Sequence, residues 1–330
     1  WGDCIDTRLL QAGIYYYALT VTKSMADDLG ITEGTEFLTE RMDSMKENWR
    51  AAYYTEEGFK SPDSKYVDDR ANAMLALSGL AGEEDYALIT DVVMSTCEAS
   101  PFIEKYVLEA LCVMGRTDLA LQRMRDRYAP MLQDEYDTLW ETFDGETGTV
   151  NHGWTAAPLY ILSKYAAGVR PTAAGFEEYE IAPCAALDSF DCTVWTPKGE
   201  IGVKLNTTAE GKMFTVNAID AVGTVIVPEG IGTDITVTGG RRAGDHHPGR
   251  GVRHHHSIGR TKRRDRLCGP AFHAMQSYHC FLRGKRMVRK NILSATLMSI
   301  VPPCCAAIYW MLFVPKPWRE LSPLLLAGRP

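Results

Sequence analysis

Histidine is almost missing from the first 240 of the 330 residues. His152 is the single instance there, and the other seven lie beyond residue 240. Basic residues are scarce as well, with 18 Lys+Arg against 39 Asp+Glu, a formal charge of −21. An acidic surface has no basic face to neutralise phosphates, so a nucleic-acid partner is excluded for this part. Its five cysteines (4, 97, 112, 184 and 192) form no CxxC pair and no zinc spacing. No metal-ligand cluster is present in these residues, and no cofactor is expected. Cys97 and Cys112 fall on apolar helix faces and read as small buried hydrophobes. No start methionine and no signal peptide open the chain, so the natural start is expected upstream.

What is present changes abruptly at residue 240. Residues 241–330 carry 17 Lys+Arg against 3 Asp+Glu, hence +14, and the stretch "RRAGDHHPGRGVRHHHSIGRTKRRDR" has no periodicity. Two unlike pieces meet there. A metal- or polyanion-binding linker, an expression tag and a lost coding register are the three readings. The last is favoured, because a strand pattern stops in mid-domain. Residues 291–314 have the length and basic flank of a membrane span, but Pro302-Pro303 interrupts it. A membrane anchor is therefore not expected.

Before the break, 45% apolar content over the whole chain suffices for one large or two medium domains. Apolar residues recur at helical spacing over 7–29, 33–54, 68–81, 83–97, 101–114, 117–132 and 156–167, joined by short links. Antiparallel helical hairpins follow from that pattern. Gly30 and Gly115 stand where helix C-termini want glycine. Tyr15, Tyr16 and Tyr17 are consecutive, so they cannot share one helix face, and at least one belongs in the core. Pro171 closes the helical part. From about residue 176 the period becomes two, in "FEEYEIAP", "FDCTVWTP", "GEIGVKLN", "KMFTVNAI" and "GTVIVP". Five or six short strands predict an antiparallel sheet or sandwich beside the helices.

The chemistry concentrates in "TLWETFDGETGTVNHGW", residues 138–154, too rich in Gly, Thr and Asp for a helix. An indole face packs against the C–H face of a sugar ring, and Glu141 is placed to take a proton from water. Asn151 and His152 can hold ring hydroxyls, which together suits one side of glycoside hydrolysis. The plainer alternative is that Trp140 and Trp154 plug the junction between helices and sheet, with Glu141 solvated.

Several ordered segments bear on that choice. "WGDCID" precedes the Tyr-rich "LLQAGIYYYALTVTKSMADDLG". "DDRANAMLALSGLA" and "SPFIEKYVLEALCVMGRTDLALQRMRDRY" follow, then "TLWETFD…GTVNHGW" and "GVRPTAAGFEEYEIAP". In this order they resemble the α-L-rhamnosidases of glycoside hydrolase family 78, over residues 1–240 only. The resemblance implies the C-terminal portion of an (α/α)6 toroid over 1–172, followed by an antiparallel β domain over 173–240. It implies an inverting mechanism, a carbohydrate substrate bearing terminal α-L-rhamnose and an extracytoplasmic setting. Glu141 matches the general base of the family's T-x-W-E motif, His152 a rhamnose contact, and Trp140 a pocket wall that seats the base. Asp3 matches the acid of a G-D-W turn. Cys4 stands where the family has Trp, leaving Trp1 as the possible platform. Some relatives use calcium, for which these residues give no basis. The family's D-E-R-x-G-W-x-G-D segment, with the general acid, has no match in this chain. An inactive piece that only binds sugar or partners is the competing reading.

Other candidates are less specific. Asp69 and Arg70 open a helix, where either a sugar contact or plain capping fits. Glu104 and Glu109, near Lys105, read as a solvated face or as hairpin packing. Seven helices are a little over half of the toroid's twelve. Without ring closure, Ile14, Leu19, Met74, Leu77, Val107 and Leu111 are expected to lack part of their packing.

Overall fold

The computed structural model describes residues 3–132, 138–209 and 211–227, and the backbone of 241–242 and 255–258. The expectations for Trp1, for the span at 291–314 and for most of the tail lie outside the described residues.

Seven α-helices form where the 3.6-residue period predicts them: α1 Thr7–Asp28, α2 Glu36–Tyr53, α3 Asp69–Ser78, α4 Tyr86–Ser95, α5 Pro101–Val113, α6 Thr117–Tyr128 and α7 Ala157–Ile161. Local signals set their ends. The Asp6 carboxylate caps α1 by accepting from the Leu9 amide at 3.0 Å, and Asp68 caps α3 by accepting from the Arg70 amide at 2.9 Å. Pro101 starts α5, where its missing N–H costs nothing. The seventh helix is shorter than expected. After five residues it widens into a π turn over Leu162–Ala166. The link between α2 and α3 begins with a small hairpin in which β1 Tyr54–Thr55 pairs with β2 Gly58–Phe59.

Helix α3 is buried on nearly every residue, from Asp69 to Ala76. That is why its sequence is Ala-rich: small side chains let α1, α4 and α5 approach from different sides. Gly13 of α1 marks the closest approach, since a Cβ there would lie 2.9 Å from Met74 Cβ. Leu19, Met74, Val107 and Leu111 are buried, and Ile14 and Leu77 are half-buried against the same cluster. The expected loss of packing is not found at the first four of these six positions, because the helices present cover them. Of the three tyrosines, Tyr16 is buried and Tyr15 exposed. Cys112 is buried as predicted, but Cys97 is exposed. Helix α4 stops at Ser95, so the apolar face assigned to Cys97 does not reach it.

The strands β3 Val169–Pro171, β4 Glu178–Ile181, β5 Phe190–Thr196, β6 Gly199–Thr208, β7 Gly211–Asn217 and β8 Val222–Ile226 begin slightly before Pro171. Strands β5, β6 and β7 form an antiparallel meander with Phe190, Leu205 and Phe214 in register. A second sheet has the order β3-β4-β8-β10-β9, where β9 is Arg241–Arg242 and β10 is His255–Ile258. Its β4–β8 pair is parallel, which departs from the purely antiparallel expectation. Both sheets feed one apolar cluster that includes Val169, Tyr179, Ile181, Ile201 and Val203.

Charged groups are buried between the helices. Arg123 donates to Asp69 at 2.6 Å and to Glu104 at 2.7 Å, and Arg127 joins Glu104. Burial disfavours the Arg123 cation, but its bonds to Glu104 and Asp69 outweigh this and raise its pKa. Glu109 accepts from Lys164 at 2.9 Å, from Tyr165 at 2.9 Å and from the Tyr160 hydroxyl. Neither glutamate lies on a solvated face. Both serve helix packing, because their partners come from α6 and from the α7 region.

Two outcomes follow. Arg123→Met leaves Asp69 and Glu104 buried without their shared cation. A loss of about 3–5 kcal/mol is expected in urea unfolding, and a loss below about 1 kcal/mol would contradict the buried network. Burial alone would raise the Glu109 pKa from 4.5, yet Lys105 and Lys164 hold it down at about 2. A depressed acid contributes stability above its unfolded pKa and loses it as pH falls through the folded one. Stability of the chain should therefore drop between about pH 4.5 and 2, and Glu109→Gln should flatten that part of a Tm-versus-pH curve.

Candidate active site

Residues 138–154 fold as a small two-sided loop. The Glu141 amide donates to the Thr149 carbonyl and the His152 amide to the Leu139 carbonyl, each at 2.8 Å, and the Thr138 hydroxyl donates to the Val150 carbonyl. The far end turns on Asp144. Its Oδ1 accepts from the Thr142 hydroxyl at 2.7 Å and from the amides of Glu146 and Thr147 at 2.9 and 3.1 Å. The Thr142 hydroxyl and those two amides hold the Asp144 carboxyl down at about 2. Leu139, Trp140 and Phe143 pack on the main helical cluster and fix the loop to it. Phe143 meets the Tyr128 ring edge-on, with centroids 5.1 Å apart, and lies under the Arg127 guanidinium.

Two glycines make the turn fit. Gly145 and Gly148 have φ of +68° and +79°, the left-handed region that side chains other than glycine's rarely enter. A Cβ on Gly145 would lie 2.7 Å from the Trp140 indole, and one on Gly148 would lie 2.7 Å from Glu141 Oε2. The "GETG" run is thus matched to the two residues that precede it by five and seven positions.

Glu141 is held, not solvated at random. Its Oε2 accepts from the Thr149 amide at 2.9 Å and from the Thr149 hydroxyl at 3.2 Å, and lies 3.3 Å from His152 Nδ1. The same hydroxyl sits 2.9 Å from Nδ1. Its carbonyl accepts from the Trp154 indole N–H at 3.2 Å. The Trp154 ring lies 4.1 Å from the His152 ring and 5.5 Å from that of Phe102 on α5, and is 46% exposed. Glu141 Oε1 has no hydrogen-bond partner among the described residues, so one carboxylate oxygen is fixed and the other can take a proton.

The structure brings Glu141, His152 and Trp154 together. Asn151 is exposed beside them and makes no side-chain hydrogen bond among the described residues. Trp140 turns inward to the helical core, and its buried Nε1 has no partner there. Asp3, Asp69 and Arg70 gather around a different centre. Arg70 is completely buried. Its guanidinium binds Asp68 at 2.7 Å and the carbonyls of Asp3, Cys4 and Glu98 at 3.0–3.2 Å. Asp69 is fully buried, its Oδ2 held by Arg123 and the Ala99 amide and its Oδ1 without a hydrogen-bond partner among the described residues. Both therefore serve the fold, because no face of either is open to a ligand. Asp3 is exposed, next to Cys4 with its left-handed φ of +54°. Thr149, Phe102 and the two loop glycines were not singled out from the sequence. The Gly-x-x-Gly spacing after Trp-Glu was the available signal.

Among the described residues no group of three or more His, Cys, Asp or Glu could hold a metal ion, and no helix is long and apolar enough to cross a membrane.

Gly148→Ala should push Glu141 off Thr149 without disturbing the helices. Hydrogen exchange of the Thr149 amide is expected to speed up, while Tm falls by a few degrees, the cost of an alanine in the left-handed region. Unchanged exchange would show that the glycine is not needed for the Glu141 contact.

No protein-family model matches the chain, and no curated protein aligns with it. Solved structures do. A GH78 family rhamnosidase of Bacillus sp. GL1 superposes with a TM-score of 0.56 and 27% identity, over 66% of this chain and 26% of that one. An α-L-rhamnosidase from Dictyoglumus thermophilum gives a TM-score of 0.60 at 16% identity, over 75% and 30%. A Streptomyces avermitilis α-L-rhamnosidase, solved with L-rhamnose, gives 0.60 at 15%, over 75% and 26%. The last two speak for the fold alone. The chain spans less than a third of the length of each of these structures. Over the residues that match, it is GH78 rhamnosidase-like.

Proposed function

We propose that residues 138–154 form the general-base side of an inverting α-L-rhamnosidase site, and that the helices belong to an (α/α)6 toroid followed by a β-sandwich. One observation supports this above the others: the Glu141 carboxylate is one-quarter exposed and fixed through Oε2, with an imidazole and an indole beside it. A fixed carboxylate with a free oxygen suits a base that deprotonates water. Inversion requires a second carboxyl roughly 6.5–9.5 Å away, leaving room for that water. On this reading the acid comes from outside the residues assigned here.

His152 and Asn151 would hold ring hydroxyls, Trp154 would present its exposed face to the sugar, and Trp140 would wall the pocket and seat the base. The likeness to the GH78 family rhamnosidase of Bacillus sp. GL1 supports a terminal α-L-rhamnoside as substrate. Such substrates are extracytoplasmic glycans or glycosides, and the protein would work there. Asp69 and Arg70 are left out of the site, because the buried ion pairs consume them.

The test is Glu141→Gln in the full-length protein, assayed on an aryl α-L-rhamnoside. Loss of the base should lower kcat by about 10²–10⁴-fold with the fold intact. Turnover within a few-fold of the unaltered protein would remove Glu141 from this role. A full-length protein inactive on aryl α-L-rhamnosides would overturn the substrate reading.

A further inference from the structure

Thr149 stands between the two functional side chains of the loop, and its position decides how the imidazole is protonated. Its hydroxyl oxygen is 3.2 Å from Glu141 Oε2 and 2.9 Å from His152 Nδ1, and Nδ1 is 3.3 Å from Oε2. Three polar atoms thus form a closed triangle. A hydroxyl has one proton to give, an ionised carboxylate only accepts, and a neutral imidazole carries its proton on one nitrogen.

Two arrangements put a proton in the Thr149–His152 contact of the neutral ring. In the first, the Thr149 hydroxyl donates to Nδ1 and the ring proton is on Nε2. The hydroxyl then turns a lone pair toward Oε2 at 3.2 Å, and the carboxylate has no proton from either neighbour's side chain. In the second, Nδ1–H donates to the Thr149 oxygen, and the Thr149 hydroxyl donates to Oε2. Each of the two contacts of the Thr149 hydroxyl then has one proton in it, and both bonds run toward the negative charge. Charge-assisted chains of this polarity are the stronger ones. The Thr149 amide adds a second donor to Oε2 at 2.9 Å, which keeps the carboxylate in place as the end of the chain.

We propose that Thr149, backed by the Glu141 carboxylate, fixes neutral His152 as the Nδ1–H tautomer, so that Nε2 is presented as a hydrogen-bond acceptor for a hydroxyl group. The His152 side chain is 30% exposed, and Nε2 has no hydrogen-bond partner among the described residues. The Trp154 ring, 4.1 Å away, holds the imidazole plane from the side. Thr149 is therefore a positioning residue: it touches no ligand but decides whether His152 accepts or donates. That the hydroxyl is a sugar's rests on the function proposed above, whereas the tautomer rests on the triangle alone.

Nitrogen-15 spectroscopy of the full chain tests both parts. Long-range correlations give the two ring shifts of each histidine, and the signals lost in His152→Gln identify those of His152 among the eight. The neutral ring is expected to show a protonated Nδ1 and a pyridine-like Nε2. A predominant Nε2–H form would overturn the proposal. Thr149→Val should lower the Nδ1–H fraction and Thr149→Ser should restore it. A full Nδ1–H population in Thr149→Val would remove Thr149 from the role. Added L-rhamnose should move the Nε2 signal, with a Kd about tenfold weaker in Thr149→Val, the worth of roughly one hydrogen bond. If L-rhamnose leaves Nε2 unmoved while the tautomer is as expected, the lock stands and the sugar reading falls.

Discussion

A chain of buried ion pairs at the start of α3 is the constraint on which the helical layer depends. Asp68 and Arg70 pair within the turn, Asp69 pairs with Arg123, and Arg123 and Arg127 share Glu104. Three acids thus meet three guanidinium groups. Each guanidinium has donors left over, and these go to backbone carbonyls in the last turn of α4 and in segments without regular structure. Arg70 takes those of Asp3, Cys4 and Glu98, Arg123 those of Val93 and Thr96, and Arg127 that of Cys97. The linker between α4 and α5 and the turn before α1 are held by these bonds, having no ladder or helix of their own to satisfy them.

Such a network is not cheap. Burial pushes the Asp68 pKa up in spite of its Arg70 partner, a sign that desolvation is not fully repaid. Its contribution is specificity of arrangement. Apolar surfaces of α3, α5 and α6 could slide on one another, but a guanidinium with two carboxylates and two carbonyls in reach has one good position. Asp6 extends the same logic, accepting from the Ser61 amide and hydroxyl while its own amide donates to Asp68. The turn before α1 is thereby tied to the residues that cap α3.

The loop over 138–154 depends on this frame through packing and not through charge. Trp140 and Phe143 sit against the helical cluster, and Phe143 lies under Arg127, itself a member of the network. Beyond these anchors the loop holds itself together with its own hydroxyls, amides and two left-handed glycines. Its Thr content, which breaks helix, supplies donors that fix Glu141 and hold the Asp144 carboxylate.

Helix positions were legible because the 3.6-residue period, proline starts and glycine ends act within a few residues of one another. The strands β4 to β8 were legible for the same reason, and so was the loop that holds Glu141, His152 and Trp154. Partners across the chain were not. A period of two marks a strand without saying that β4 and β8 run parallel. "DDR" at the head of a helix reads equally as a solvated cap or a ligand contact. It became a sealed ion-pair cluster only because α1, α5 and α6 close over it, leaving Arg70 with no exposed surface. Thr149 looks in the sequence like one more turn residue. Its reach to both Glu141 and His152 exists because the loop's two sides fold back on each other, and contacts of that kind depend on three-dimensional closure that spacing along the chain does not encode.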